Sequence, residues 1–147
     1  GEDMADTDML VGLFFRIKID SCDLGAFTTC DGLSMDVETE DRIEGGNNGF
    51  VHKLPVRIKY ANVKFTRPVG PESAKVAKWL ASMGKDGITR GTAEIEALTP
   101  HMEKLVSWRL NGVIPVKWQG PSFSAESPKV AVETLEIAHH GFTFEAA

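Results

Sequence analysis

Apolar and polar residues alternate over much of the chain, and this alternation predicts a strand-rich protein. Between Leu13 and Asp20 an apolar residue takes every second position, and charged residues fill most of the others. Successive side chains of a strand point to opposite faces, so this spacing is typical of a half-buried strand. The same period returns in residues 26–30, 33–40, 56–60, 63–68, 92–97, 106–111, 112–120 and 129–139.

One stretch changes to a helical period. Its apolar residues recur three or four positions apart, at Val76, Trp79, Leu80 and Met83. The segment Pro-Glu-Ser at residues 71–73 suits a helix start, and Gly84 suits an end. We therefore predict one helix of about three turns. Its apolar stripe is expected to pack on the sheet rather than to bind a cofactor.

These elements predict a mainly β fold, either a small β-barrel or a two-sheet sandwich, with one flanking α-helix. Closure of a sheet removes its exposed edges, which favours such architectures for a chain with many strands. The predicted inward positions are bulky and apolar, which indicates a filled core; they are Phe15, Ile17, Ile19, Trp108, Leu110 and Trp118.

The last strand-like segment, residues 129–139, changes parity along its length. Val130 and Val132 lie on one parity, whereas Leu135 and Ile137 lie on the other. A one-residue change of parity moves side chains to the opposite face of a sheet. The segment therefore predicts a bulge near residues 133–134, or a strand that is buried on both faces.

A loop rich in glycine and asparagine precedes the strand of residues 56–60. Gly and Asn enter positive φ at low cost, so the sequence GGNNG predicts a mobile or tightly turned loop. The loop is either an ordinary surface hairpin connection or a segment that contacts another molecule. The contact hypothesis covers Gly45, Gly46, Asn47, Asn48, Gly49, Phe50, Val51, His52 and Lys53.

Length and charge restrict the alternatives. A chain of 147 residues suits one domain, which we assign to residues 10–147, after a flexible acidic leader at residues 1–9. The net charge is −5, and Lys and Arg are scattered among acids, so no basic stripe predicts nucleic-acid binding. No apolar run approaches the ~20 residues of a membrane span, and the leader is acidic where a signal peptide is basic.

The two cysteines do not predict a disulfide framework. Cys22 and Cys30 are too few to staple a chain of this size, and neither lies in a CxxC motif. We expect reduced, half-buried thiols of a protein made in a cytosol. A disulfide across their hairpin is the alternative.

The sequence predicts no catalytic, metal or cofactor site. His139 and His140 are adjacent and would face opposite sides of a strand, while His52 and His101 stand alone. No GxSxG, GxGxxG or Walker motif is present. The carboxylates at residues 94 and 96 lie on one strand face, as a glycosidase would need, but such pairs more often form a solvated face. We expect a protein that is not an enzyme.

Three segments in register resemble the phage-tail tube family. They are GGNNGFVHKLP at residues 45–55 with Lys59 and Tyr60, PVKWQGP at residues 115–121, and VAVETLEIAH at residues 130–139 with Gly141. This family comprises the inner-tube protein of contractile tails and extracellular contractile injection systems, related to haemolysin-coregulated-protein-like tubes. The resemblance covers residues 14–142. The chain departs from the family pattern at Val56, often a small residue, at Asn47, often an acid, and in its acidic leader.

The resemblance implies a structural role. Six copies would close into a ring, and rings would stack into a rigid hollow tube that sheath contraction drives through a target envelope. The implied partners are further copies, sheath protein, baseplate or spike and tube-initiator proteins, a cap or terminator, and a cargo effector in the lumen. The implied place of assembly is the bacterial cytoplasm, within a phage-tail-like particle that is released extracellularly in some systems.

Two further hypotheses concern assembly and the channel. Residues 45–53 would contact the next ring or subunit, and acids facing the lumen would repel acidic cargo; the candidate acids are Asp36, Glu38, Glu40, Glu94 and Glu96. The competing class is a small-ligand-binding β-barrel, which would need a polar and roomy interior.

Overall fold

The computed structural model describes residues 12–43, 51–121 and 131–146. Within these residues the chain forms ten strands and one helix, so the predicted mainly β fold with one α-helix is confirmed. The elements are β1 Phe14–Ile19, β2 Cys22–Phe27, β3 Thr29–Asp31, β4 Met35–Ile43, β5 Val51–Tyr60, β6 Val63–Pro68, α1 Ser73–Asp86, β7 Gly91–Leu98, β8 Lys104–Gln119, β9 Val132–Ala138 and β10 Gly141–Ala146.

Eight of the strands form one antiparallel sheet that closes on itself. The hydrogen-bonded order is β2-β1-β7-β8-β9-β6-β3, and β10 pairs with β8. Only Thr28 separates β2 from β3 along the chain, so the two ends of this path meet and the sheet becomes a barrel. The Thr28 amide donates a 2.9 Å hydrogen bond to the Thr66 carbonyl and ties this corner to β6.

Strand β8 bends at Gly112 and takes part in both halves of the barrel. Gly112 has φ +63, and a Cβ atom there would lie 2.5 Å from Nδ1 of His140. Leu110 and Val113 are both fully buried although they lie three positions apart, so the inward parity changes at the bend. A second register shift follows between Pro115 and Lys117, after which Trp118 lies opposite the fully buried Leu135. Trp118 is nevertheless 42% exposed, so the prediction that it belongs to the filled core is wrong.

The core follows the predicted alternation in the other strands. Ile17 and Ile19 are buried as predicted, while Phe15 and Trp108 pack against the core from partly buried positions. Helix α1 buries Val76 and Trp79. It runs past Gly84 to Asp86, so it is longer than predicted, and Gly87 with φ +90 follows its end. A glycine inside a helix is tolerated when neighbouring residues favour the helix.

The parity change predicted for β9 has a different cause from either option considered above. The register from Val63 opposite Ile137 to Pro68 opposite Val132 is unbroken, so no bulge interrupts this ladder. Val132 points outward and is 43% exposed, whereas Glu133 is 1% exposed and points into the barrel. A charged residue thus occupies an inward position, and both predictions for this segment are wrong.

Arg67 compensates the buried charge of Glu133. Its Nε atom donates a 2.5 Å hydrogen bond to Glu133 Oε1, and its terminal nitrogens donate to the carbonyls of Leu24 at 2.7 Å and Glu72 at 2.8 Å. The guanidinium also lies 4.0 Å from the ring centroid of Phe27. Arg67 therefore joins β2, β6 and β9 to the start of α1. Truncating one member of such a buried pair costs about 3–5 kcal/mol.

Candidate interaction surfaces

The hairpin of β4 and β5 stands apart from the barrel. The two strands form a separate two-stranded sheet, and among the described residues neither pairs with a barrel strand. A two-stranded hairpin with no further cover is marginally stable at best in water. The hairpin therefore needs stabilising contacts beyond those between its own two strands.

One face of the hairpin is apolar and exposed. Met35 lies opposite Tyr60, and Val37 lies opposite Ile58. Met35, Val37 and Ile58 are 50%, 47% and 52% exposed, and Val56, next to the register shift, is 56% exposed. The prediction of a half-buried strand at residues 56–60 is wrong for the single subunit, because β5 has the alternation of a half-buried strand but no layer of the described residues covers it. Contiguous exposed apolar surface of this kind commonly marks an interaction site.

The opposite face of the hairpin carries ion pairs. Glu38 accepts hydrogen bonds from Arg57 and Lys59, and the bond from Lys59, followed by that from Arg57, lowers the pKa of the Glu38 carboxyl. Asp36 lies opposite Lys59, and Glu40 lies opposite Leu54. The three predicted acids of β4 thus share a face, but bases of β5 offset part of their charge.

The base of the hairpin is held by an aromatic cluster. The ring of Tyr60 lies 5.4 Å from that of His139 and 5.6 Å from that of Phe142. His139 Nδ1 accepts a hydrogen bond from the Gly141 amide, so Nε2 carries the proton and donates to the Ala61 carbonyl at 3.0 Å. Gly141 has φ +146, and a Cβ atom there would meet the Tyr60 ring at 3.2 Å. These contacts fix the direction in which the hairpin leaves the barrel.

The predicted contact segment falls partly outside the described structure. Residues 45–50 lie outside the described residues, while Val51 and His52 begin β5. Lys53 lies opposite Asp41 and is exposed. Val51 lies opposite Ile43, so the described part of this segment, residues 51–53, lies at the end of the hairpin that is far from Tyr60.

The predicted acids of β7 lie on a different surface. Glu94 lies opposite Lys18 and Arg109, and Glu96 lies opposite Arg16. Lys104 Nζ is 3.8 Å from Glu96 Oε2. The outward face of β1, β7, β8 and β10 is therefore balanced in charge, and the structure does not bring these acids together with those of β4.

Two of the open backbone edges within the described ranges lie on β10 and on the end of β8. Strand β10 pairs with β8 on one side alone, and β8 beyond Val113 pairs with β9 alone because β7 begins opposite Val113. Large apolar side chains are exposed on these segments: Phe144 at 58%, Val116 at 50% and Trp118 at 42%. Open strand edges can accept a further strand from another chain.

The barrel interior is filled with apolar side chains rather than shaped for a ligand. Phe65, Ile95, Leu110 and Leu135 are fully buried within one cluster. The prediction of a filled core therefore agrees with the structure, in which the charged groups at inward positions, Arg67 and Glu133, pair with each other.

The two cysteines are free thiols in different environments. Cys22 is exposed, contrary to the half-buried prediction, Cys30 is partly buried, and neither forms a disulfide. Burial, together with the charge of Asp31, raises the pKa of the Cys30 thiol to about 12. Within the described residues, no group of three or more His, Cys, Asp or Glu residues could hold a metal ion. In that same part of the chain, no helix is long and apolar enough to cross a membrane.

Three comparisons place the chain among known proteins. A family profile described as "T4-like virus tail tube protein gp19" matches residues 11–143. No curated protein sequence matches. Structural matches are numerous, and three of them illustrate their range.

A chain of the anti-feeding prophage (AFP) baseplate has a TM-score of 0.74 at 21% identity, over 91% of this chain and 92% of that chain. A chain of the PVC extracellular contractile injection system, in its extended sheath-tube complex, has a TM-score of 0.74 at 20% identity, over 90% and 88%. Hcp1 from Salmonella typhimurium has a TM-score of 0.55 at 14% identity, over 92% and 87%. At these identities the structural similarity establishes the fold. Because the family profile spans most of the chain, the protein belongs to the T4-like tail tube family, whose members are structural tube proteins.

Proposed function

We propose that this chain is the inner-tube subunit of a contractile injection system or phage-tail-like particle. Six copies would close into a ring, and rings would stack into a rigid hollow conduit that sheath contraction drives through a target envelope. The observation that carries this proposal is the β4–β5 hairpin, whose apolar face has no cover in the single subunit. Membership of the tail tube family supplies the context in which a further copy covers it.

The hairpin is the proposed contact between copies. Residues 45–53 and the apolar face at Met35, Val37 and Ile58 would contact the next ring or subunit. Burial of apolar surface stabilises an interface by about 25 cal/mol per Å² before the costs of association. A head-to-tail contact closes into a ring at one rotation and otherwise extends without limit, as a stacked tube requires.

The channel wall is proposed to include part of the acidic set. The outward face of β7 carries Glu94, which is exposed, and Glu96, which is partly exposed. A polar face of this kind suits a surface that must not retain cargo. Lys18 and Arg109 lie opposite Glu94, so this wall would repel charged cargo weakly, over about 8 Å at physiological salt. Asp36, Glu38 and Glu40 would add acidic charge if the hairpin reaches the channel.

The proposed partners follow from the tube. They are further copies of this chain, a sheath protein, baseplate or spike and tube-initiator proteins, a cap or terminator, and a cargo effector in the lumen, without nucleic-acid specificity. The similar AFP and PVC chains come from structures of a baseplate and a sheath-tube complex. We propose assembly in the bacterial cytoplasm, release within an extracellular particle, and no catalytic activity.

Electron microscopy of the purified chain, alone and with its sheath protein, tests the proposal. The wild type should form rings or tubes, and Ile58→Asp should abolish stacking because it places a charge on the apolar hairpin face. Ile88→Asp is the matched control, since Ile88 is 69% exposed but lies outside the hairpin. Wild-type protein that stays monomeric at every concentration, or equal loss of tubes in both variants, would contradict the proposal.

Hydrogen exchange tests the contact proposed for residues 45–53. Amides of residues 45–53 should exchange at least ten-fold more slowly in tubes than in free subunits, because assembly would bury them. Amides of β7 in the barrel provide the reference within the same sample. Equal exchange of residues 45–53 in both states would remove this segment from the interface.

A further inference from the structure

Trp118 forms an exposed apolar surface at the end of β8. Its side chain is 42% exposed, and that of Val116, two positions earlier, is 50% exposed. A Cβ atom at Gly120 would lie 2.9 Å from Cη2 of Trp118, so the indole ring lies against the backbone of Gly120. A ring that is already held in place loses little freedom on binding, and tryptophan often supplies much of the binding energy of an interface. We call Val116 and Trp118 the Trp118 platform.

The sheet is incomplete beside this platform. In the described part of the chain, β7 begins at Gly91 opposite Val113, so the remainder of β8 pairs with β9 alone. Trp118 lies opposite the fully buried Leu135 and therefore shares the inward face of the sheet. It stays exposed because β7 does not continue alongside it. A large aromatic side chain on the inward face but open to solvent is suited to receive a surface from another molecule.

The platform lies away from the base of the β4–β5 hairpin. The hairpin joins the barrel at Tyr60, whose ring packs on that of His139 just after the end of β9. Trp118 lies opposite Leu135, four residues before His139, which corresponds to about 13 Å along a strand. Strand β5 has ten residues and spans about 33 Å. The hairpin of one copy is therefore long enough to reach the platform of a neighbouring copy.

The two surfaces match in chemistry. Val37 and Ile58 form a cross-strand pair on the apolar hairpin face, and the ion pairs of Glu38 lie on the opposite face. Lys117, between the two members of the platform, lies opposite Glu136 of β9. A contact between the hairpin face and the platform would thus bury aliphatic against aromatic side chains without burying an unpaired charge, which would be costly.

We propose that the Trp118 platform of one copy receives the apolar face of the β4–β5 hairpin of a neighbouring copy. This inference rests on the proposed tube and names the partner surface of its hairpin contact. The side chains of Val37 and Ile58 pack against the indole ring of the neighbour. Each copy carries both surfaces at separate places, so the contact is head-to-tail and repeats from copy to copy.

A double-variant cycle in assembled tubes tests the contact. Sedimentation measures the critical subunit concentration for tube formation of wild type, Ile58→Ala, Trp118→Ala and the double variant. Each single substitution should raise this concentration about ten-fold, because each removes apolar contact area from the interface. The double variant should raise it only about twenty-fold, because both substitutions remove the same contact.

Ile88→Ala is the matched control for the cycle. Ile88 is 69% exposed and lies outside the hairpin. Ile88→Ala alone should leave the critical concentration unchanged. Its combination with Trp118→Ala should therefore behave like Trp118→Ala, since distant sites act independently.

Acrylamide quenching of tryptophan fluorescence gives a second readout that does not depend on a weakened interface. In Trp108→Phe subunits, Trp118 is the exposed fluorophore, since Trp79 is 4% exposed. The quenching constant should fall about three-fold on tube formation, because the core of an interface excludes water. Quenching that is equal in free subunits and in tubes would overturn the proposal.

The cycle separates failure of this contact from failure of the tube. Tubes in which the effects of Ile58→Ala and Trp118→Ala simply multiply would overturn the contact and leave the proposed tube intact. Coupling of the two substitutions in urea unfolding of the free subunit would also overturn it, because the two surfaces would then meet within one chain. Wild-type protein that forms no tubes would overturn the proposed function and this contact with it.

Discussion

The barrel and the β4–β5 hairpin use the same alternating pattern with opposite results. In β7, Ala93 and Ile95 are fully buried, whereas in β5, Val56 and Ile58 are more than half exposed. Both segments place apolar residues on one face. In the part of the chain that the structure describes, that face is covered in the barrel and left exposed in the hairpin. The difference shows that alternation identifies which residues share a face and does not identify what covers it.

The largest expected effect is a loss of stability when the buried charge of Glu133 is removed. Glu133→Ala should destabilise the subunit by about 3–5 kcal/mol, because it leaves Arg67 buried without its carboxylate. Urea unfolding of the free subunit, followed by tryptophan fluorescence, measures the change. The double variant Glu133→Leu with Arg67→Met should recover much of the loss, since it removes both charges. A double variant less stable than the single one would contradict the assignment.

The same truncation, isoleucine to alanine, can be made in the barrel and in the hairpin. Ile95→Ala should cost about 2–5 kcal/mol in the free subunit, because it opens a cavity in the closed core. Ile58→Ala should change the same free energy by about 0.5 kcal/mol or less, because Ile58 is 52% exposed. In assembled tubes, Ile58→Ala should lower the urea concentration at which half of the subunits dissociate. Similar costs for both variants in the free subunit would mean that the hairpin face is already covered there.

A substitution at the base of the hairpin should have an intermediate effect on the stability of the subunit. Gly141→Ala should cost about 1–3 kcal/mol, because it strains a positive φ. Its Cβ atom would also meet the Tyr60 ring at 3.2 Å. Hydrogen exchange of β4 and β5 should increase more than that of β7. Gly70→Ala is the matched control, since a Cβ atom there meets nothing within 4 Å. Uniform changes across all strands would show that the cluster does not orient the hairpin.

The smallest expected effect is a difference in alkylation rate between the two cysteines. At pH 8, Cys30 should be alkylated at least ten-fold more slowly than Cys22, because burial raises the Cys30 pKa to about 12 while Cys22 is exposed. Iodoacetamide labelling followed by peptide mass spectrometry measures both rates. The pKa of Cys30 in the folded protein lies above the ordinary thiol value of 9.0, so the related stability is present below pH 9 and is lost as pH rises towards 12. Equal labelling rates in the native protein would show that β3 opens readily.

The fold and the family could be predicted from the sequence because both depend on local patterns. The alternation in β1 and β7 and the helical spacing around Trp79 depend on side chains a few positions apart. Sequence reasoning missed Glu133 because its inward position is stabilised by Arg67, which is distant along the chain. It also missed the exposure of Trp118, because the end of β8 lacks β7 on one side and that depends on where β7 begins. The contact between His139 and Tyr60 has no local signal beyond the residues themselves.

The sequence by itself determined that the chain forms mainly strands with one helix, and three segments in register indicated the tail tube family. Tertiary structure alone decided that β2 and β3 close the barrel, that the hairpin face is left uncovered, and that Trp118 stays exposed at the end of β8. The physical reason is that periodicity encodes the direction of each side chain relative to its own strand. Cover, charge compensation and open edges depend on which strands meet, and those pairings join residues far apart in the chain.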